Sequence, residues 1–303
     1  MRAAAIVGLG SSTKHLHPFA RNSDAHWQLG LPASTSEADA VLLFGGDGTV
    51  HRHLAQLVKL QLPVLIVPCG SGNDFARALK LRSFGDALDA WRKFASGQDN
   101  VRLIDLGVIS QLTPGSAFAG RSTSGVPPGH YFCCVGGIGL DVEIARRANQ
   151  LPRWIRRHGG YVLSLMPALL GFEPLSVTVQ AQPDARGGLA IRHRGPAVVV
   201  AFANASTYGG GAKIAPEARL DDGKLDICVV GSMAKARLLR FFPSVYSGRH
   251  LSLPEVQYFQ AERLRLEPER LMDVYADGEY VCRTPIEVTV ERAALRMIVG
   301  VGF

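Results

Sequence analysis

The sequence predicts an α/β domain on a parallel sheet, followed by a mostly antiparallel β domain. Three observations carry that expectation. In the first third, apolar runs end in glycine-rich turns that lead into amphipathic segments, and this happens twice. After Asp105 the chain changes to valine-rich alternating runs separated by Gly, Pro and Asp. With 303 residues, 47% hydrophobic and 19% charged, it is long enough for two ordinary cores and too apolar for disorder.

Residues 3–9 read as a buried strand. Residues 40–44 (AVLLF) are a second, which runs into Gly45, Gly46, Asp47, Gly48 and Thr49. Over 50–59, Leu54, Leu57 and Val58 fall at i, i+3 and i+4, the spacing of a helix with one buried face. Residues 63–68 (PVLIVP) form a third strand, followed by Gly70, Ser71, Gly72 and Asn73 and a helix over about 74–79. Another helix covers 84–96. Strand, turn and helix in repetition build a parallel sheet. The β domain takes its strands from 131–135, 175–180, 197–203, 225–230, 263–267 and 286–290. Two helical stretches interrupt it, 154–170 and 233–246, the second broken near Pro243. Residues 110–129, rich in Ser, Thr, Gly and Pro, read as a loop. The expected domains are 1–106 and 107–303, with the last residues open to return to the first.

Lys and Arg total 33 against 26 Asp and Glu, a charge of +7 that permits an anionic partner without selecting one. The five cysteines, an odd number without C-x-x-C spacing, argue against a disulfide framework or a zinc site and read as small core residues. No secretory signal is visible, and no run approaches the roughly 18 apolar residues that span a bilayer. The expectation is a cytoplasmic protein whose membrane contact is peripheral. The arginines lack aromatic interleaving beyond Trp154, so no nucleic-acid partner is expected.

The first glycine turn sits where a strand ends and a helix begins, the place where open α/β sheets bind ligands. Its glycines admit a phosphate close to the backbone, and the helix start offers N–H groups. Asp47 repels a bare phosphate, so a Mg²⁺ bridge makes sense of it. The second turn repeats the design one strand later. Neither has Walker spacing.

GGDGT followed by P-C-G-S-G-N-D-F-A-R resembles the catalytic domain of diacylglycerol kinases and their bacterial lipid kinase, sphingosine kinase and ceramide kinase relatives. NAD kinases share the first motif and not usually the second. The resemblance continues through Gly136-Gly137-Ile138-Gly139, 204–211 (NASTYGGG), Asp221-Asp222-Gly223-Lys224-Leu225-Asp226 and Asp277-Gly278-Glu279, in family order. It implies a nucleotide domain and a β-sandwich domain facing each other across a cleft, in a two-domain lipid kinase that moves the ATP γ-phosphoryl group to a lipid hydroxyl such as that of diacylglycerol.

Carried over by position, Gly45, Gly46, Asp47, Gly48, Thr49, Gly70, Ser71, Gly72 and Asn73 hold ATP. Asp47 acts through Mg²⁺ rather than in packing, so Asp47→Asn would leave the fold intact. Glu279 is the general base. Asp74 and Asp105 match acidic positions near the metal, and Asp222 with the carbonyls of Arg219 and Lys224 matches a structural Mg²⁺ site. On the residues alone, Asp277-Gly278-Glu279 is also a common hairpin turn and Asp221-Asp222-Gly223 also a solvated one.

The chain departs from the family at Val50-His51-Arg52-His53, where Asn and Glu usually follow GGDGT, and the segment before GGDGT is shorter. His51 reads as a substitute polar contact near the nucleotide and His53 as surface. Arg146, Arg147, Arg153, Arg156, Arg157 and His158 precede Val162, Leu165, Met166 and Leu169 at helical spacing. That segment is either a solvated face before a core helix or a peripheral membrane surface. A soluble kinase of the NAD kinase type and a non-catalytic nucleotide- or lipid-binding regulator remain the rival readings. The oligomeric state stays open, a homodimer included.

Overall fold

A computed structural model describes residues 1–21, 23–113, 129–151, 160–184 and 186–303. The chain divides into two compact units. The first holds Met1–Leu106, Leu220–Asp222 and Glu291–Phe303, and the second Gly107–Arg219 and Gly223–Val290.

In the first unit, β1 (Arg2–Val7), β2 (His26–Leu29), β3 (Ala40–Gly45) and β4 (Pro63–Pro68) run parallel with the end of the chain's last strand, in the order last strand, β4, β3, β1, β2. β3 is buried at every position, as a strand covered on both faces must be. Among the described residues four α-helices accompany these strands: α1 (His17–Arg21), α2 (Asp47–Leu60), α3 (Asp74–Ala78) and α4 (Phe84–Ala95). α2 buries Val50, Leu54, Leu57 and Leu60 and stops at Gln61, which takes a left-handed φ of 52°. α4 opens on a reciprocal cap between Ser83 and Asp86 and buries Trp91. β5 (Val101–Gln111) leaves the first unit at Leu106. β2 has no counterpart in the sequence expectation because His26–Leu29 carries no fully buried position, so no apolar run marks it.

The second unit is antiparallel, and its strands follow in chain order with three α-helices among the described residues. β6 (His130–Phe132) pairs with the end of β5. β7 (Val135–Gly139) leads into α5 (Leu140–Gln150), and α6 (Gly160–Gly171) follows. β8 (Leu175–Gln182) turns back into the long β9 (Ala190–Ala203), which pairs with β8 along its first half and with β7 and β10 (Leu225–Gly231) along its second. After α7 (Lys235–Phe241) come β11 (Val256–Ala261), β12 (Arg263–Pro268), β13 (Asp273–Ala276), β14 (Glu279–Arg283) and β15 (Ile286–Ile298). β8 alternates strictly, with Leu175, Val177, Val179 and Ala181 inward. These meet Leu225, Ile227, Val229, Leu264 and Val288 in one core, beside Phe132 and Phe202, whose rings stand edge to face at 5.4 Å.

Three expectations change. β10 is buried continuously from Leu225 to Val230 rather than alternating, because its outer face is also covered. Arg146 and Arg147 lie on α5, a helix its mixed charges concealed, and both ion-pair with Glu143 at 2.8 and 2.6 Å. On α6, Leu165, Ala168 and Leu169 are buried while Met166 and Leu170 face out, so the apolar spacing does not form one face. Arg153, Arg156, Arg157, His158 and most of the 110–129 loop lie outside the described residues. Among the described residues no helix is long and apolar enough to cross a membrane.

Candidate active site

β3 and β4 pair in register from Val41–Val64 to Gly45–Pro68, so their glycine turns leave the sheet at the same level. The turns then touch backbone to backbone. A methyl group on Gly70 would sit 2.5 Å from the Gly46 Cα, and one on Gly46 would sit 2.8 Å from the Gly70 Cα. No side chain fits at either position, which is why both turns need glycine here.

The polar residues of the two motifs mostly brace these turns. Asp47, in the first turn of α2, accepts the Asp74 N–H on Oδ2 and the Phe75 N–H on Oδ1, both at 3.1 Å. It thus caps α3 from the neighbouring turn. Asn73, at a left-handed φ of 54°, closes a ring with Gly70: its Oδ1 accepts the Gly70 N–H at 2.8 Å and its Nδ2 donates to the Gly70 carbonyl at 2.9 Å. Arg77 donates to the Gly72 carbonyl at 2.9 Å and ion-pairs with buried Asp74 at 2.5 Å. Thr49 packs over Gly8 and Gly45, where added methyl groups would meet it at 2.6 and 2.7 Å. Ser71 is exposed and Gly72 half-buried at the rim. His51 and His53 are half-buried, Arg52 is exposed, and His53 pairs with Gln56 at 3.3 Å.

The remaining positions lie on other elements. Asp105 is buried on β5; its N–H meets the Leu220 carbonyl and its carboxylate accepts the Ala293 N–H at 2.8 Å. Asp222 is half-buried in a turn whose Gly223 has a φ of 70°, with Arg219 exposed and Lys224 half-buried. Asp277 and Gly278, with φ of 51° and 84°, form the two-residue turn between β13 and β14, and Glu279 stands exposed at its end. The Asp277 carboxylate accepts the N–H groups of Cys133 and Cys134 at 2.9 and 2.8 Å. Asn149 of α5 donates to the Gly278 carbonyl at 2.8 Å, which ties the hairpin to that helix.

Mg²⁺ can be tested against these donors. Among the described residues, Asp47, Asp74 and Asp105 do not converge into a three-ligand group. Asp74 is matched by Arg77. Asp47 accepts the Asp74 N–H on one oxygen and the Phe75 N–H on the other. The set does not make an all-protein cage, and it fits a Mg²⁺ carried by phosphates with a single carboxylate contact, the usual manner of that ion.

The second unit also holds an apolar cavity that sequence reasoning missed. Leu140, Ile144, Tyr208, Leu238, Phe241 and Val245 are among the residues that line it. In its wall lies Asp141, whose carboxyl burial pushes up to about 7 against the backbone N–H of Val142 at 2.9 Å. His250, also in the wall, donates from Nε2 to the Ile214 carbonyl at 3.1 Å, and burial lowers its pKa. A carbonyl only accepts, so this ring is the Nε2–H tautomer. One Asp beginning a helix gives no pattern that a sequence could flag.

Known proteins resemble the chain along most of its length. The model of the diacylglycerol kinase catalytic domain matches residues 15–109, and that of the YegS C-terminal NAD kinase beta sandwich-like domain matches residues 135–299. A diacylglycerol kinase of Mycobacterium tuberculosis is 30% identical over 268 residues, covering 86% of this chain and 76% of that protein. The chain belongs to the diacylglycerol kinase and YegS-like lipid kinase family. It is therefore placed among phosphotransferases. A diacylglycerol kinase of Bacillus subtilis is 26% identical over 82% of this chain and 73% of its own length. A solved diacylglycerol kinase structure from Bacillus anthracis shares the two-domain fold, with a TM-score of 0.65 at 19% identity, over 99% of this chain and 97% of that one.

Two predictions follow from the bracing and the cavity. Asp47→Asn keeps only one acceptor oxygen, so it should cost about 1–3 kcal/mol of stability as well as turnover; urea unfolding that matched the wild type would show that the carboxylate does not hold α3. Asp141 has a folded pKa raised from 3.8, so its burial is tolerated while protonated and stability falls as pH rises from about 4 to about 7. Asp141→Asn should be close to neutral at pH ~4 and stabilising at pH ~8 by up to about 4 kcal/mol; a difference that does not vary with pH would refute the buried neutral acid.

Proposed function

We propose that the protein is an ATP-dependent lipid kinase that transfers the γ-phosphoryl group to the hydroxyl of diacylglycerol or a related lipid. The observation that carries the lipid side of this reading is the apolar cavity of the second unit, whose wall of aliphatic and aromatic residues suits an acyl chain and gives a dinucleotide little to hydrogen-bond. The nucleotide side rests on the paired glycine turns.

The N–H groups at the start of α2 and along the second turn orient the phosphates, and the brace from Asp47, Asn73 and Arg77 holds these donors in place before ATP arrives. Mg²⁺, when bound, would neutralise charge on the phosphate oxygens, with Asp47 as its carboxylate contact. Glu279 accepts the proton of the lipid hydroxyl as its oxygen attacks the γ-phosphorus. Its place at the end of a two-residue turn, anchored through Asp277 and Asn149, holds its backbone while leaving its side chain exposed. Asp222 is kept as the position for a structural Mg²⁺. The proposal extends to a peripheral membrane contact through the 146–170 segment, within which Met166 and Leu170 of α6 face outward.

Label transfer from γ-labelled ATP to diacylglycerol in mixed micelles, with NAD as a second acceptor, tests the reading. Label should enter the lipid and not NAD; the reverse would make the protein a soluble kinase. Glu279→Gln should lower kcat by roughly 10²- to 10⁴-fold with nucleotide affinity little changed. A collapse of ATP binding in that variant would move Glu279 from the proton to the nucleotide.

A further inference from the structure

The cysteine pattern gives no metal signature, yet the fold assembles one. The bend between β6 and β7 carries Cys133 and Cys134, both buried, and the turn between β13 and β14 brings Asp277 against them from 144 residues away. Cys133 Sγ lies 4.0 Å from Cys134 Sγ and 3.4 Å from Asp277 Oδ2, and the three ligand atoms all fall within 4.8 Å of one another. Among the described residues this is the one such group of three His, Cys, Asp or Glu side chains.

The spacing can be judged against a known geometry. Zinc–sulfur bonds of about 2.3 Å and zinc–oxygen bonds of about 2.0 Å at tetrahedral angles put sulfurs about 3.8 Å apart and sulfur about 3.5 Å from oxygen. The observed 4.0 and 3.4 Å are within a few tenths of an ångström of those edges. Two soft sulfurs and one carboxylate select a thiophilic divalent ion over Mg²⁺ or Ca²⁺, which prefer oxygen.

We propose that Cys133, Cys134 and Asp277 form a binding site for one thiophilic divalent cation of the Zn²⁺ type, which pins the 277–278 turn to the 133–134 bend. Binding displaces one proton from each thiol, so the ion is held by two thiolates and a carboxylate and two protons leave to solvent. Asp277 is half-buried and gives the ion its approach, and its Oδ2 already lies 3.4 Å from the Cys133 sulfur. The fourth position falls to water. The occupancy of this site is read without turnover, so its test does not depend on the kinase reading.

The test uses the whole protein, reduced and stripped with a chelator, and titrated with Cd²⁺ and separately with Co²⁺. Cd²⁺ should give thiolate charge-transfer absorption saturating at one ion per chain, with two protons released in weak buffer. Co²⁺ should give the intense visible bands of a tetrahedral sulfur-containing site. Cys133→Ser and Cys134→Ser should each weaken Cd²⁺ binding at least tenfold, whereas Cys69→Ser, which removes the half-exposed thiol elsewhere, should leave it unchanged. The Co²⁺ spectrum needs only the wild type, so a variant that fails to fold leaves the site testable. Absence of the Cd²⁺ band, an octahedral Co²⁺ spectrum, or a band that disappears with Cys69 would overturn the proposal.

Discussion

The Asp47 carboxylate is the contact on which the first unit's site depends. It joins two turns that leave adjacent parallel strands and that also meet through glycine contact. Two backbone N–H groups at the start of α3 would lack an intrahelical partner, and a charged acceptor satisfies both. The close approach of Gly46 and Gly70 and the ring between Asn73 and Gly70 then fix the rest of the second turn. Preorganised donors of this kind are what phosphoryl transfer asks of a protein, since the reaction needs positioning and charge stabilisation more than covalent chemistry.

The second unit repeats the device. Asp277 accepts the N–H groups of Cys133 and Cys134 much as Asp47 accepts those of Asp74 and Phe75. In each motif, GGDGT and DGE, the aspartate ties its own turn to a distant piece of backbone. The neighbouring residues, glycine N–H groups in one case and Glu279 in the other, stay at the surface of the motif. An acidic residue inside a glycine turn therefore has two tasks to weigh, chemistry and bracing, and here both aspartates brace. That constraint is why a substitution at Asp47 is expected to be felt by the fold.

Much of this was legible in the sequence because it is local. Buried strands such as Ala40–Gly45 and Pro63–Pro68 announce themselves as apolar runs, and α2 by its i, i+3, i+4 spacing. The strict alternation of β8 was equally plain. What stayed hidden depends on contacts far apart in the chain or on an absence of pattern. β2 is a half-exposed edge, and α5 mixes Asp, Glu and Arg so that its charges read as a basic cluster. Asp141 is one carboxyl whose meaning comes from the cavity around it. The Cys133, Cys134 and Asp277 group spans 144 residues, so no spacing rule reaches it.

Hydrogen exchange of the whole protein with and without ATP and magnesium bears most directly on the paired turns as the nucleotide cradle. Added protection should concentrate in segments 45–50 and 69–76, where the two turns and their helix starts lie. Unchanged exchange in both segments, with protection gained elsewhere, would contradict the assignment of the phosphates to these turns.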